Sequence, residues 1–176
     1  MGVNMNNIKF RHTVYIYKEQ VYETIAEIRY QLGPLISIPD DVSEESLSRL
    51  GVTVEVRDYP LDVVKTSLKG YMKAQRDLEE VAPIMYNEHL YDYDSKARER
   101  INAAIIALEL QGPDATIIWT SYDNEDTILS GNDLKMIVAA VASRSDLLHR
   151  KYREKVVAID NATTVEELEL IKWSDI

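Results

Sequence analysis

Apolar residues along this chain recur with two periods, close to 3.6 and to 2, and the alternation between them predicts an α+β protein. Thr13 to Tyr17 (TVYIY) reads as a β-branched and aromatic strand. Val21, Ile25, Ile28 and Leu32 then fall at helical spacing, which predicts a helix from about Lys18 to Leu32, stopped by Gly33 and Pro34. Ser43 is placed to cap a short helix over residues 44–50, with Gly51 just past its end. Val52, Val54 and Val56 alternate with Thr53, Glu55 and Arg57, the signature of a strand with one buried face. After Pro60, the spacing of Val64, Leu68, Tyr71, Met72, Gln75 and Leu78 predicts a helix that carries Gly70 in its interior.

The stretch PIMYNEHLYDY, residues 83–93, has no clear period and reads as a linker between two halves. Beyond it Asp94 can cap a helix to about Gln111, with Ala97, Ile101, Ala104, Ile105 and Leu108 on one face and Gly112 and Pro113 closing it. ATIIWTSY, the acidic turn from Asp123 to Asp126, and Thr127 to Leu129 predict a β-hairpin anchored by Trp119. Ser130 and Asp133 form a capping-box start for a long helix running to about Ala158. Asp160 and Asn161 can take a turn, and Thr163 with Glu166 starts a last helix, giving a helical hairpin with Trp173 at its tip. The expected organisation is a small mixed α/β docking domain over residues 1–90, followed by a mainly helical domain with a β-hairpin over residues 91–176.

Composition narrows the function classes. At 176 residues the chain can bury one good core or two small ones, and it is too short for a large multidomain enzyme. No cysteine is present, which excludes disulfides, thiolate metal sites and cysteine nucleophiles and makes a reducing cytoplasm the expected place of synthesis. Met1 to Asn7 are polar and no apolar run is long enough to span a bilayer, so neither secretion nor a membrane partner is expected. A net charge of -10 opposes attraction to phosphate backbones. The basic cluster His149, Arg150, Lys151, Arg153 and Lys155 is interleaved with Asp146 and Glu154, and the macrodipole of a helix C-terminus accounts for it, so no nucleic-acid partner is expected.

Catalytic patterns are missing from the sequence. His12, His89 and His149 lie far apart without metal-ligand spacing. The acidic turn has Ile128 where a calcium loop needs its glycine. The six glycines are scattered rather than gathered into a phosphate cradle, and Ser130 lacks the preceding glycine of a hydrolase elbow. Carboxylate pairs such as Asp92 with Asp94 or Glu44 with Glu45 are undistinguished among 30 acidic residues. The expectation is a non-enzyme that binds other proteins and uses no cofactor and no metal. Tyrosine outnumbers phenylalanine 11 to 1, and rings with a polar tip suit interface margins. Trp119, Tyr122, Tyr152 and Trp173 are the candidate partner-binding residues.

The order from Tyr93 to Trp173 is a capped helix, a strand with Ile118 and Trp119, the acidic turn Asp123, Asn124, Glu125, and LSGNDL leading into a long helix. It closes with LLHRKYREKVVAIDNATTVEELELI. This order resembles a C-terminal domain of unknown function found in tail-fibre and tail-fibre-assembly proteins of tailed bacteriophages. The first half, with its proline-containing loop, LSRLG helix and Val-rich strand, is loosely similar to N-terminal portions of other phage tail proteins. The resemblance implies a virion protein of the tail, made in the bacterial host cytoplasm, that acts as an adaptor bound to other tail or tail-fibre proteins. Symmetric copies or a homo-oligomer are then expected. A fibre-assembly chaperone lost from the finished particle is the alternative, followed by a glycan-acting enzyme and a DNA-binding regulator. The family brings no catalytic residues to transfer.

Overall fold

The computed structural model describes residues 8–174 and contains three antiparallel sheets and six helices, an α+β fold. The polar opening stretch Met1–Asn7 lies outside the described residues. The chain divides into two compact units. A sheet unit combines residues 8–68 with 162–172, and a hairpin unit combines residues 69–161 with Trp173 and Ser174.

In the sheet unit, β1 (Arg11–Tyr17) lies between β2 (Gln20–Tyr22) and β3 (Val52–Asp58), both antiparallel to it. The helix predicted to begin at Lys18 is instead a two-residue turn. Lys18 and Glu19 both have positive φ, 50° and 65°, the backbone signature of a type I′ turn, and the chain returns as β2. Helix α1 (Ile25–Leu32) starts seven residues later than predicted, at a capping box in which Thr24 and Glu27 exchange hydrogen bonds. Helix α2 (Glu44–Arg49) carries the predicted Ser43 cap, and Gly51 follows with φ 78°. Ile28, Ile38, Leu47 and Val52 form the core of this unit, flanked by Tyr15, Tyr17 and Val54.

Helix α3 (Leu61–Glu80) follows Pro60 as predicted and buries Val64, Leu68 and Met72 on one stripe. Its first eight residues belong to the sheet unit and the remainder to the hairpin unit. The predicted linker over 83–93 is folded inside the hairpin unit. It forms β4 (Ile84–Tyr86) and β5 (His89–Tyr91), joined by Asn87 and Glu88, again with positive φ. Aperiodic composition hid it because each strand is only three residues long and the turn lacks glycine.

Helix α4 (Ser95–Gln111) has the predicted Asp94 cap and ends at Gly112, φ 115°. Strands β6 (Thr116–Thr120) and β7 (Asp126–Ser130) form the predicted hairpin, and α5 (Gly131–Asn161) leaves β7 without a loop. Tyr91, Ile101, Leu108, Trp119, Leu129 and Leu134 are central to the core that these elements share. The predicted turn at Asp160 and Asn161 is still helix, and the capping box of α6 (Val165–Glu169) is Thr164 with Glu167, one residue later than expected. In α6 the chain is back in the sheet unit, where Arg11 of β1 reaches Glu166 and Glu169 at 2.8 and 2.6 Å.

Candidate interaction surface

The β6–β7 hairpin is two-faced because successive side chains on a strand point to opposite sides. Ile117, Trp119, Thr127 and Leu129 point inward, and Trp119 and Leu129 are 7% and 3% exposed. On the outer face Ile118 stands directly across from Ile128, and the two are 69% and 73% exposed. A pair of β-branched apolar residues facing water on a two-stranded ribbon is an unspent hydrophobic surface with native strand geometry.

Polar bonds fix this hairpin from below. Thr127 Oγ1 donates to the Trp119 carbonyl at 2.9 Å and accepts from the Tyr91 hydroxyl at 3.1 Å. The Tyr122 backbone N–H donates to the Leu90 carbonyl at 2.8 Å, joining the end of β6 to β5. At the base, the Ser130 hydroxyl and backbone N–H both donate to Asp133 Oδ2, at 2.6 and 2.8 Å, while the Tyr86 hydroxyl donates to Oδ1 at 2.7 Å. The Ser130 bonds, followed by that from Tyr86, hold the Asp133 carboxyl below the usual carboxylate range. The same carboxylate raises the Tyr86 phenol above its ordinary value.

A second apolar surface lies on α4. At about 100° per residue, Ala103, Ile106, Ala107 and Leu110 form a second stripe, centred roughly 140° around the helix from that of Ala97, Ile101, Ala104 and Leu108. The Ala97 stripe is buried, while Ile106 and Leu110 are 60% and 85% exposed. A helix apolar on two separate stripes has one stripe more than its own core uses.

The four aromatic residues singled out from the sequence do not form one surface. Trp119 is a core anchor with the Arg100 guanidinium 4.9 Å from its ring centroid. Trp173 is buried, donates from Nε1 to Glu79 at 2.6 Å and carries the Lys151 ammonium over its ring. Tyr152 is half-buried beneath Arg76. Burial leaves the two tryptophans without a face for a partner, and only Tyr122 is exposed, at 53%. Sequence reasoning missed Ile118, Ile128, Ile106 and Leu110; the second helical stripe at residues 103–110 is a signal that could have found the last two, whereas the continuous apolar run Ile117, Ile118, Trp119 does not say which side of β6 faces out.

Three residues of the basic cluster have separate partners. His149 lies 2.9 Å from Glu80, Arg150 pairs with Asp146, and Lys151 is taken by Trp173. No group of three or more His, Asp or Glu side chains among the described residues is placed to hold a metal ion, and no described helix is long and apolar enough to cross a membrane.

The chain belongs to the family described as a domain of unknown function, DUF4376, whose profile matches residues 63–172. That span runs from α3 to α6, includes the hairpin and all of α4 and α5, and leaves out the β1–β3 sheet. No curated protein and no solved structure matches the chain significantly.

Proposed function

We propose that this chain is a structural protein of a tailed-bacteriophage virion, an adaptor in the tail or tail fibre that works by binding other proteins. The observation that carries the protein-binding part is the outward Ile118–Ile128 pair on a hairpin whose opposite face is locked into the core. Such a surface is held rigid before a partner arrives, which lowers the ordering cost of association. The exposed stripe of α4 supports the same reading, since a helix face with heptad-like spacing fits another helix or a groove. The assignment to a phage tail is supported by the resemblance of residues 93–173, which lie almost wholly within the matched family span.

Mass spectrometry of purified particles of the phage that encodes this chain tests the proposal. Presence at a fixed, symmetric copy number, lost when Ile118 and Ile128 are both replaced by Lys, is the expected result. Absence from the particle, with fibre protein co-purifying from infected cells, would replace the adaptor by an assembly chaperone. Absence from both would remove the tail assignment.

A further inference from the structure

The outer edge of β3 has a sequence that is complementary to itself. Strand β3 is seven residues long and ends the β2–β1–β3 sheet, and among the described residues no backbone hydrogen bond reaches its far side. The direction of its backbone groups follows from the ladder. The Tyr59 N–H donates to the Phe10 carbonyl at 3.0 Å, so in the antiparallel register of β1 with β3 the hydrogen-bonded pairs are His12–Arg57, Val14–Glu55 and Ile16–Thr53. The two-residue turn between β1 and β2 gives the same phase, because Tyr17 and Tyr15 then bond towards β2. The N–H and C=O groups of Val54, Val56 and Asp58 therefore point away from the sheet.

We propose that this edge is a self-association site, at which a second copy of the chain adds its own β3 antiparallel about a two-fold axis through Val56. An antiparallel ladder must pair outward-pointing residues with outward-pointing residues, which leaves, in the exposed half of the strand, axes centred on Glu55, Val56 or Arg57. Centring on Glu55 sets that carboxylate against its own copy, and centring on Arg57 does the same for the guanidinium. Centring on Val56 places each Glu55 across from the other copy's Arg57, twice, with Val56 facing Val56 between them. Opposite charges across a strand pair stabilise it and like charges destabilise it, so the charges select this register. Val56 is 67% exposed, and pairing covers it. Glu55 and Arg57 already lie side by side on one face, 2.9 Å apart, and are about half exposed. The product is a continuous six-stranded sheet in which both copies keep their cores unchanged. Self-association of the purified chain is independent of the tail assignment.

The experiment is light scattering with size exclusion and sedimentation on the full chain, with far-UV circular dichroism as the check of folding. The unaltered chain should be a dimer into the high micromolar range. Glu55→Arg and Arg57→Glu should each weaken the dimer roughly tenfold or more, since each turns two attractive cross-strand pairs into repulsive ones. Mixing these two variants should restore association as a heterodimer. The arginine introduced in one variant then faces the glutamate introduced in the other, and the retained Arg57 of the first faces the retained Glu55 of the second. The mixture separates contacts between copies from the Glu55–Arg57 pair within one chain, which mixing cannot repair. A monomeric unaltered chain, a dimer indifferent to both variants, or a mixture that stays monomeric would each overturn the proposal.

Discussion

The Tyr86 hydroxyl and the Asp133 carboxylate meet at 2.7 Å, joining the end of β4 to the first turn of α5 across 47 residues of sequence. Because the fold holds Asp133 below its ordinary value, the contribution of this carboxylate is fully present above its unfolded pKa and is lost as pH falls through the folded one. Tyr86 has the opposite shift, so its contribution is lost as pH rises beyond the usual phenol range. Tyr86→Phe should cost about 1 kcal/mol at neutral pH. It should also move the acid limb of a denaturation profile to higher pH, since one bond that depresses Asp133 is gone. Thermal melts between pH 3 and pH 7, about the range in which carboxylates change charge, check both effects.

Arg144 joins α5 to the end of α3. Its guanidinium donates to the Glu80 carbonyl at 2.9 Å, an acceptor that the C-terminus of α3 leaves open, and to the Pro83 carbonyl at 3.2 Å in the segment that follows. Burial, the dominant influence, lowers its pKa from the ordinary arginine value, against the opposing pull of Glu80. Arg144→Leu should cost about 2 kcal/mol, and Arg144→Lys should recover only part of it, because an ammonium cannot supply the same planar fork. Urea titration of the three proteins decides.

Gly70 is an exposed helical residue in α3, and a Cβ built on it meets nothing within 4 Å. Gly70→Ala should therefore stabilise the protein by about 0.5–1 kcal/mol through the smaller entropy of the unfolded chain. A higher urea midpoint with an unchanged slope is the expected reading.

Trp173 and Tyr122 should behave oppositely. Trp173→Ala removes a ring that is 5% exposed together with the Glu79 bond, and about 3 kcal/mol or more should be lost. Tyr122→Ala changes an exposed side chain, and stability should move by no more than about 0.5 kcal/mol. Paired melting curves would show whether a loss of partner binding in either variant reflects a surface or a damaged core.

Much of the fold was legible because local signals agree with one another. The Ser43 and Asp94 caps, the Gly51 and Gly112 ends, the strands β3 and β6 and the stripe of α3 all appear where residue chemistry places them, but the single buried face expected of β3 stops short of Val56, which is 67% exposed. The β1–β2 and β4–β5 hairpins were not legible, because Lys18, Glu19 and Glu88 adopt positive φ without a glycine in either turn. For such residues the preference runs the other way, and strand pairing outweighs it. The Thr24–Glu27 capping box was present in the sequence, but the apolar period running in from Val21 obscured it.

What the sequence determined by itself is the kind and order of most elements and the lack of cysteine chemistry, because periodicity, caps and composition act within a few residues. The tertiary structure alone decided which aromatic rings are covered and which residues are left facing water. Trp173 became core, joining Trp119, whose anchoring the sequence had already suggested, while Ile118 and Ile128 stayed outside. It also decided that α6 returns to Arg11, across some 155 residues of chain. Exposure is a property of what packs over a residue, and the partners that do so come from distant parts of the chain, so a local pattern encodes it only in part.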